Sequence, residues 1–65
     1  MVREFQYTND MGYHKTLSVD MTIKNGKYPV QLWSRDTGDF CGSGDMTKDE
    51  VNDFLKHYGV DDRIE

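Results

Sequence analysis

Apolar and polar residues alternate along two stretches joined by Asn25-Gly26. Leu17, Val19, Met21 and Ile23 alternate with Thr16, Ser18, Asp20, Thr22 and Lys24. Tyr28, Val30 and Leu32 then alternate with Pro29, Gln31, Trp33 and Arg35. A period of two is that of a strand with one face on a core, and Asn-Gly is the strongest short hairpin signal. Pairing that sets Ile23 opposite Tyr28, Met21 opposite Val30 and Val19 opposite Leu32 gathers six apolar residues on one face. Pro29 has no N–H to give to a hydrogen-bonded pair. A four-residue loop from Lys24 to Lys27 is therefore expected in place of a two-residue one, with any third strand beside Pro29 starting further along. On this reading Trp33, the chain's one tryptophan, points away from the core.

A third strand is expected after Asp36-Thr37-Gly38, with Gly38 left-handed, Phe40 on the core side opposite Ser34 and Cys41 outside opposite Trp33. "GSGD" then reads as the end of that strand. Arg3 to Thr8 reads as a first strand, joined through "NDMG" by a loop of four or five residues. Four residues put Phe5 and Tyr7 on the outer face; five put them with Leu17 in the core.

The last element is a helix. Thr47 followed by Glu50 forms a capping box, and Asp49 and Glu50 suit the positive end of the helix dipole. Met46 and Val51 form a hydrophobic staple. Val51, Phe54, Leu55 and Tyr58 fall on one helical face. Gly59 is a left-handed stop, with Val60 folding back on Leu55. The pattern predicts an α+β domain: an antiparallel β-meander of three to four strands with one C-terminal amphipathic helix packed on one face. Strands are expected at about 2–8, 15–24, 28–35 and 39–42, a helix at about 48–58 and a short acidic tail at 59–65. The expected core is Leu17, Val19, Met21, Ile23, Tyr28, Val30, Leu32, Phe40, Met46, Val51, Phe54, Leu55 and Tyr58. One helix covers one side of a sheet, so the other side is left to solvent or a partner.

Size and composition sharpen this. The 65 residues are 35% hydrophobic, which allows one small core near the lower limit for a chain that folds without staples. One cysteine, Cys41, cannot close an intramolecular disulfide, and no apolar run reaches the roughly 18 residues of a membrane helix. The N-terminus has no secretory h-region, so a soluble cytoplasmic protein is expected. Residues 1–35 hold five Lys and Arg against three acids and residues 36–65 three against nine, so the halves carry +2 and −6 within a net charge of −4.

Catalytic and metal chemistry find little purchase. Cys41 with His14 or His57 lacks any spacing that brings nucleophile and base together, and two His with one Cys match no zinc pattern. The glycines of "DFCGSGD" precede a helix whose first turn is acidic, which repels phosphate. No catalytic residue, metal, cofactor or small-molecule substrate is expected.

Binding readings remain. The outer sheet face offers Trp33 with Thr16, Ser18, Gln31 and Arg35, and Trp and Arg are enriched at binding hot spots. This favours a protein-binding module, an inhibitor or modulator of a macromolecular machine. Asp45, Asp49, Glu50 and Asp53 form a second candidate set, a carboxylate row that could imitate nucleic-acid phosphates. In its small size and acidity the chain looks like phage-encoded inhibitors of host enzymes. A competing reading is nucleic-acid binding. In order of elements the chain resembles sheet-reading DNA-binding domains of the integrase arm-binding type, which would imply a sheet face lined by Lys15, Lys24, Lys27, Arg35 and Trp33. Those domains are basic, whereas this chain has a pI near 4.9. A homodimer burying Trp33 is the third reading, and cover by the first strand or Ile64 the plainest explanation of all.

Overall fold

The order of elements in the computed structural model, which describes residues 1–65, is β1 (Val2–Thr8), β2 (His14–Asp20), β3 (Tyr28–Ser34), β4 (Phe40–Met46) and α1 (Lys48–His57). The strands form one antiparallel meander in sequence order, and α1 packs across one side. No helix is long and apolar enough to cross a membrane.

The β1–β2 loop has five residues, since Thr8 pairs with His14 and Phe5 with Leu17. Asn9 sets that length. Its side-chain oxygen accepts the N–H groups of Met11 and Tyr13 at 3.0 and 2.9 Å, and Gly12 takes a left-handed φ of 85°. Phe5 and Tyr7 thereby enter the core.

The Asn25-Gly26 hairpin keeps the expected faces but not the expected pairs. Lys24 and Lys27 exchange both backbone hydrogen bonds, at 2.8 and 3.0 Å. The turn is thus the two-residue form with both central residues left-handed, at φ 53° and 77°. Further along, Val19 pairs with Val30 and Leu17 with Leu32, a slip of two residues from the expected register. Pro29 is the physical reason. Arg35 N–H donates to the His14 carbonyl, so odd-numbered β3 residues face β2, and Pro29 cannot donate there. The chain leaves the ladder instead. Asp20 accepts the Thr22 N–H at 2.9 Å in an Asx turn, and strand β2 stops at Asp20, short of residue 24. Ile23, expected in the core, is pushed out and is 54% exposed.

Strand β4 corrects two further expectations. It runs on through Gly42 and Gly44 to Met46, opposite Tyr28, so "GSGD" does not end it and Pro29 does not delay it. Gly38 is left-handed as expected, at φ 78°, but the loop closes one residue early, with Ser34 N–H donating to Asp39. A bulge beside Leu32 and Trp33 restores the register. Phe40 therefore pairs with Trp33 outside, where it is 52% exposed, and not with Ser34 in the core.

Helix α1 follows its local signals. Thr47 Oγ1 accepts the Glu50 N–H at 3.2 Å, and the Glu50 carboxylate accepts the Thr47 N–H at 2.8 Å. The Thr47 backbone N–H, and after it the Thr47 side chain, hold the Glu50 carboxyl below its usual range. At the far end Gly59 is left-handed, and Val60 N–H returns to the Leu55 carbonyl at 2.9 Å. The core joins Phe5, Tyr7, Leu17, Val19, Tyr28, Val30, Val51, Leu55 and Ile64. Tyr7 links sheet to helix, its ring 5.2 Å from Phe54 and 4.6 Å from Tyr58. Ile64 is fully buried because Asn52 clamps it, donating to its carbonyl at 3.0 Å and accepting its N–H at 2.8 Å.

Candidate functional site: the outer face of the sheet

Strand alternation assigns the face away from the helix to Glu4 and Gln6 of β1, Thr16, Ser18 and Asp20 of β2, Gln31 and Trp33 of β3, and Phe40, Ser43 and Asp45 of β4. Neither candidate cover reaches Trp33: β1 lies beyond β2, and Ile64 is on the helix side. Trp33 is half-buried by its neighbours, Thr16 opposite it on β2 and Phe40 opposite it on β4. The Trp33 and Phe40 rings meet edge to face with centroids 5.3 Å apart, a preferred aromatic geometry. The indole N–H donates to Gln31 Oε1 at 3.2 Å.

Thr16 and Ser18 are buried between strands. Ser18 Oγ donates to Glu4 Oε2 at 3.2 Å, so these two support the face rather than project from it. Beyond Gln31 lies an open groove of about 420 Å³, lined by Val2, Ser18, Asp20, Gln31, Ser43 and Asp45. The outer face is therefore aromatic at one end and acidic at the other. The Asp20 carboxyl is held below its usual range, chiefly by the Thr22 backbone N–H.

Arg35 does not join the patch. Its Nε donates to the Lys15 carbonyl at 3.2 Å and its guanidinium to the Tyr7 carbonyl at 3.4 Å, stitching the sheet end together. No strand position of the outer face carries Lys or Arg. Lys15 alternates with Leu17 on the helix side, where its Nζ lies 3.5 Å from Cys41 Sγ. The structure thus does not gather the five basic residues of the first half on one face.

The acidic set is divided as well. Asp45 belongs to the sheet face, Asp49 and Asp53 are exposed on α1, and Glu50 is committed to its own helix cap. His14 Nδ1 lies 2.9 Å from Asp36 Oδ1, and the His57 ring packs edge-on against Tyr58. Cys41 is exposed, and neither histidine is among its hydrogen-bond partners. Phe40 is the member of the patch that sequence reasoning placed elsewhere; the bulge that turns it outward leaves no mark in the alternation of "DFCGSG".

A scan against family models and searches of curated proteins and of solved structures found no match to this chain.

Proposed function

We propose that the protein is a small, acidic, non-enzymatic binding module of the cytoplasm. It docks a protein partner on the outer face of its sheet and thereby inhibits or modulates that partner, in the manner of a phage-encoded inhibitor. The observation that carries this reading is the Trp33–Phe40 pair, held on the uncovered side of the sheet beside a carboxylate-lined groove. Aromatic residues fixed on a rigid platform are the side chains that anchor protein interfaces. The groove carboxylates favour a partner that sets a cation beside its apolar insert.

Nucleic-acid binding is the weaker reading, because phosphate neutralisation needs several cations on the contact face and the strand positions of this face supply none. Affinity capture from the native host with wild type, Trp33→Ala, Phe40→Ala and Asp49→Asn side by side tests the proposal. A partner retained by wild type and Asp49→Asn, and lost by both aromatic variants, supports it. A partner lost only with Asp49→Asn moves the contact to the helix. A steep, salt-sensitive gel shift with duplex DNA would overturn the protein reading, and a concentration-dependent dimer dissociated by Trp33→Ala would replace it.

A further inference from the structure

On the helix side of the sheet Tyr28 and Val30 of β3 are buried with the core, whereas Leu32, Gly42 and Met46 are half-buried and Gly44 is exposed. There an apolar groove of about 290 Å³ is walled by Leu17, Val30, Leu32, Met46 and Phe54. Gly42 and Gly44 form its floor, opposite Leu32 and Val30 on the helix-facing side of β4. Neither glycine has a left-handed φ, and a Cβ at either would meet nothing within 4 Å. Neither conformation nor crowding therefore demands glycine, although each costs roughly 0.5–1 kcal/mol in a strand. A strand glycine often marks a place where another backbone or a ligand comes close.

β4 is also an edge. Ser34 N–H donates to the Asp39 carbonyl, so even-numbered β3 residues face β4. The register then turns the backbone groups of Gly42, Gly44 and Met46 inward. Those of Ser43 and Asp45 point outward, where no element pairs with them. The opposite edge differs, because the tail closes the helix side of β1: Arg3 pairs with Asp62 at 2.9 Å and donates to the Arg63 carbonyl at 3.3 Å.

Charge selects the occupant. From Asp36 to Thr47 the chain carries Asp36, Asp39 and Asp45 and no Lys, Arg or His. In an added antiparallel strand, residues opposite one another share a face. A guest residue opposite Asp45 meets its carboxylate, and guest residues opposite Gly42 and Gly44 lean into the groove toward Leu32 and Phe54. We infer that β4 accepts, as a fifth antiparallel strand, an extended segment of a protein partner in which apolar residues alternate with Lys or Arg. A second copy of β4 meets neither requirement, since it offers glycine where an apolar side chain is wanted and Asp where a cation is wanted. The groove lies on the opposite side of the sheet from Trp33, so the two docking readings fail separately.

The probe is a labelled peptide of alternating Lys and Val, about as long as β4, followed by anisotropy at low salt beside Glu-Val and Lys-Ser peptides. The Lys-Val peptide is expected to bind about tenfold more tightly than either control and to protect the Ser43 and Asp45 amides from exchange. Trp33→Ala leaves this unchanged. Gly44→Val, which fills the groove from within, weakens binding about tenfold while raising Tm. Should that variant not fold, Asp45→Lys decides by shifting the preference to the Glu-Val peptide. Equal binding of the three peptides, no binding, or protection along β1 would overturn the inference. So would concentration-dependent protection of Ser43 and Asp45 without peptide, which assigns the edge to self-pairing.

Discussion

Replacing Ile64 with alanine is expected to cost more than any other single change in the last six residues, although it is the next-to-last residue of the sequence. Ile64 is fully buried against the core. Truncating a buried isoleucine to alanine costs about 2–5 kcal/mol, less where the site can collapse. The Ile64 backbone is held in place by one side chain, Asn52, which lets the site collapse on truncation, so the lower part of the range applies, about 2–3 kcal/mol. Domains have about 0.05–0.15 kcal/mol of stability per residue, so a chain this short holds roughly 3–10 kcal/mol, and the loss is a large share. At about 4–8 °C per kcal/mol for a small domain, Tm should fall by roughly 8–24 °C.

Two companion variants give the test its resolution. Asn52→Ala removes both clamps on the Ile64 backbone, each hydrogen bond worth about 1 kcal/mol net, and should cost about 1–3 kcal/mol. Asp62→Asn breaks an ion pair whose side chains are 33% and 59% exposed. Such surface pairs contribute about 0–1 kcal/mol. Urea unfolding followed by far-ultraviolet circular dichroism reads all three as midpoint shifts at nearly constant slope. If Ile64→Ala unfolds within about 0.5 kcal/mol of wild type, or Asp62→Asn costs as much, then the tail is not part of the core and the reasoning is wrong.

The Tyr7 hydroxyl is raised to about 12, first by burial and then by Tyr58 and Cys41. A raised folded value means that the stabilisation is complete below the unfolded value near 10 and is lost as pH climbs toward 12. Ultraviolet titration should find one of the four tyrosines resisting ionisation until near that point, and Tyr7→Phe should remove both the late step and the alkaline instability. Asp36 moves the other way: its carboxyl lies below the usual range, held first by the His14 side chain and then by the His14 N–H. Its contribution is therefore present above the unfolded value near 4 and vanishes as pH falls through the folded one. The stability gap between wild type and Asp36→Asn should close on acidification, and a gap constant down to about pH 2 would contradict it. Gly59→Ala places a side chain at φ 73° and should cost about 1–2 kcal/mol; a neutral result in thermal melts would show that α1 ends without its left-handed stop.

How much could be read beforehand depended on the range of each signal. The helix cap at Thr47 and Glu50 and the stop at Gly59 are complete within a few residues, and both formed. Strand facing was legible for the same reason: Leu17, Val19, Val30 and Leu32 share a face in any register that differs by two. That tolerance also hid the true register, which Asp20 and Pro29 settled between them by breaking the ladder. Asn9 decides the first loop by accepting the Met11 and Tyr13 N–H groups, and "NDMG" contains that residue without revealing which of two loop lengths it closes. Phe40, expected in the core, and Ile64, expected in the tail or over Trp33, escape the pattern for a deeper reason. A bulge and a tail that folds back are tertiary outcomes, and neither changes the alternation around it.

The open groove is not simply core that a short chain failed to finish. Ten helical residues span about 15 Å, enough to cover two or three strands, so some part of a four-stranded sheet had to stay open on the helix side. If the exposed part were only a shortfall, apolar residues at positions 42 and 44 would be the favourable repair, since their backbones are ordinary and the space is free. Filling them would bury Val30 and Leu32 further and spare two strand glycines. The chain instead keeps glycine at both positions and accepts roughly 1–2 kcal/mol for the pair, a noticeable fraction of the stability of a domain this size. The same edge carries Asp39 and Asp45, which deter a second copy while leaving the backbone of Ser43 and Asp45 available. Room for side chains, unpaired backbone and the Asp45 carboxylate converge on the Gly42–Met46 part of β4, and a cationic strand uses all three at once.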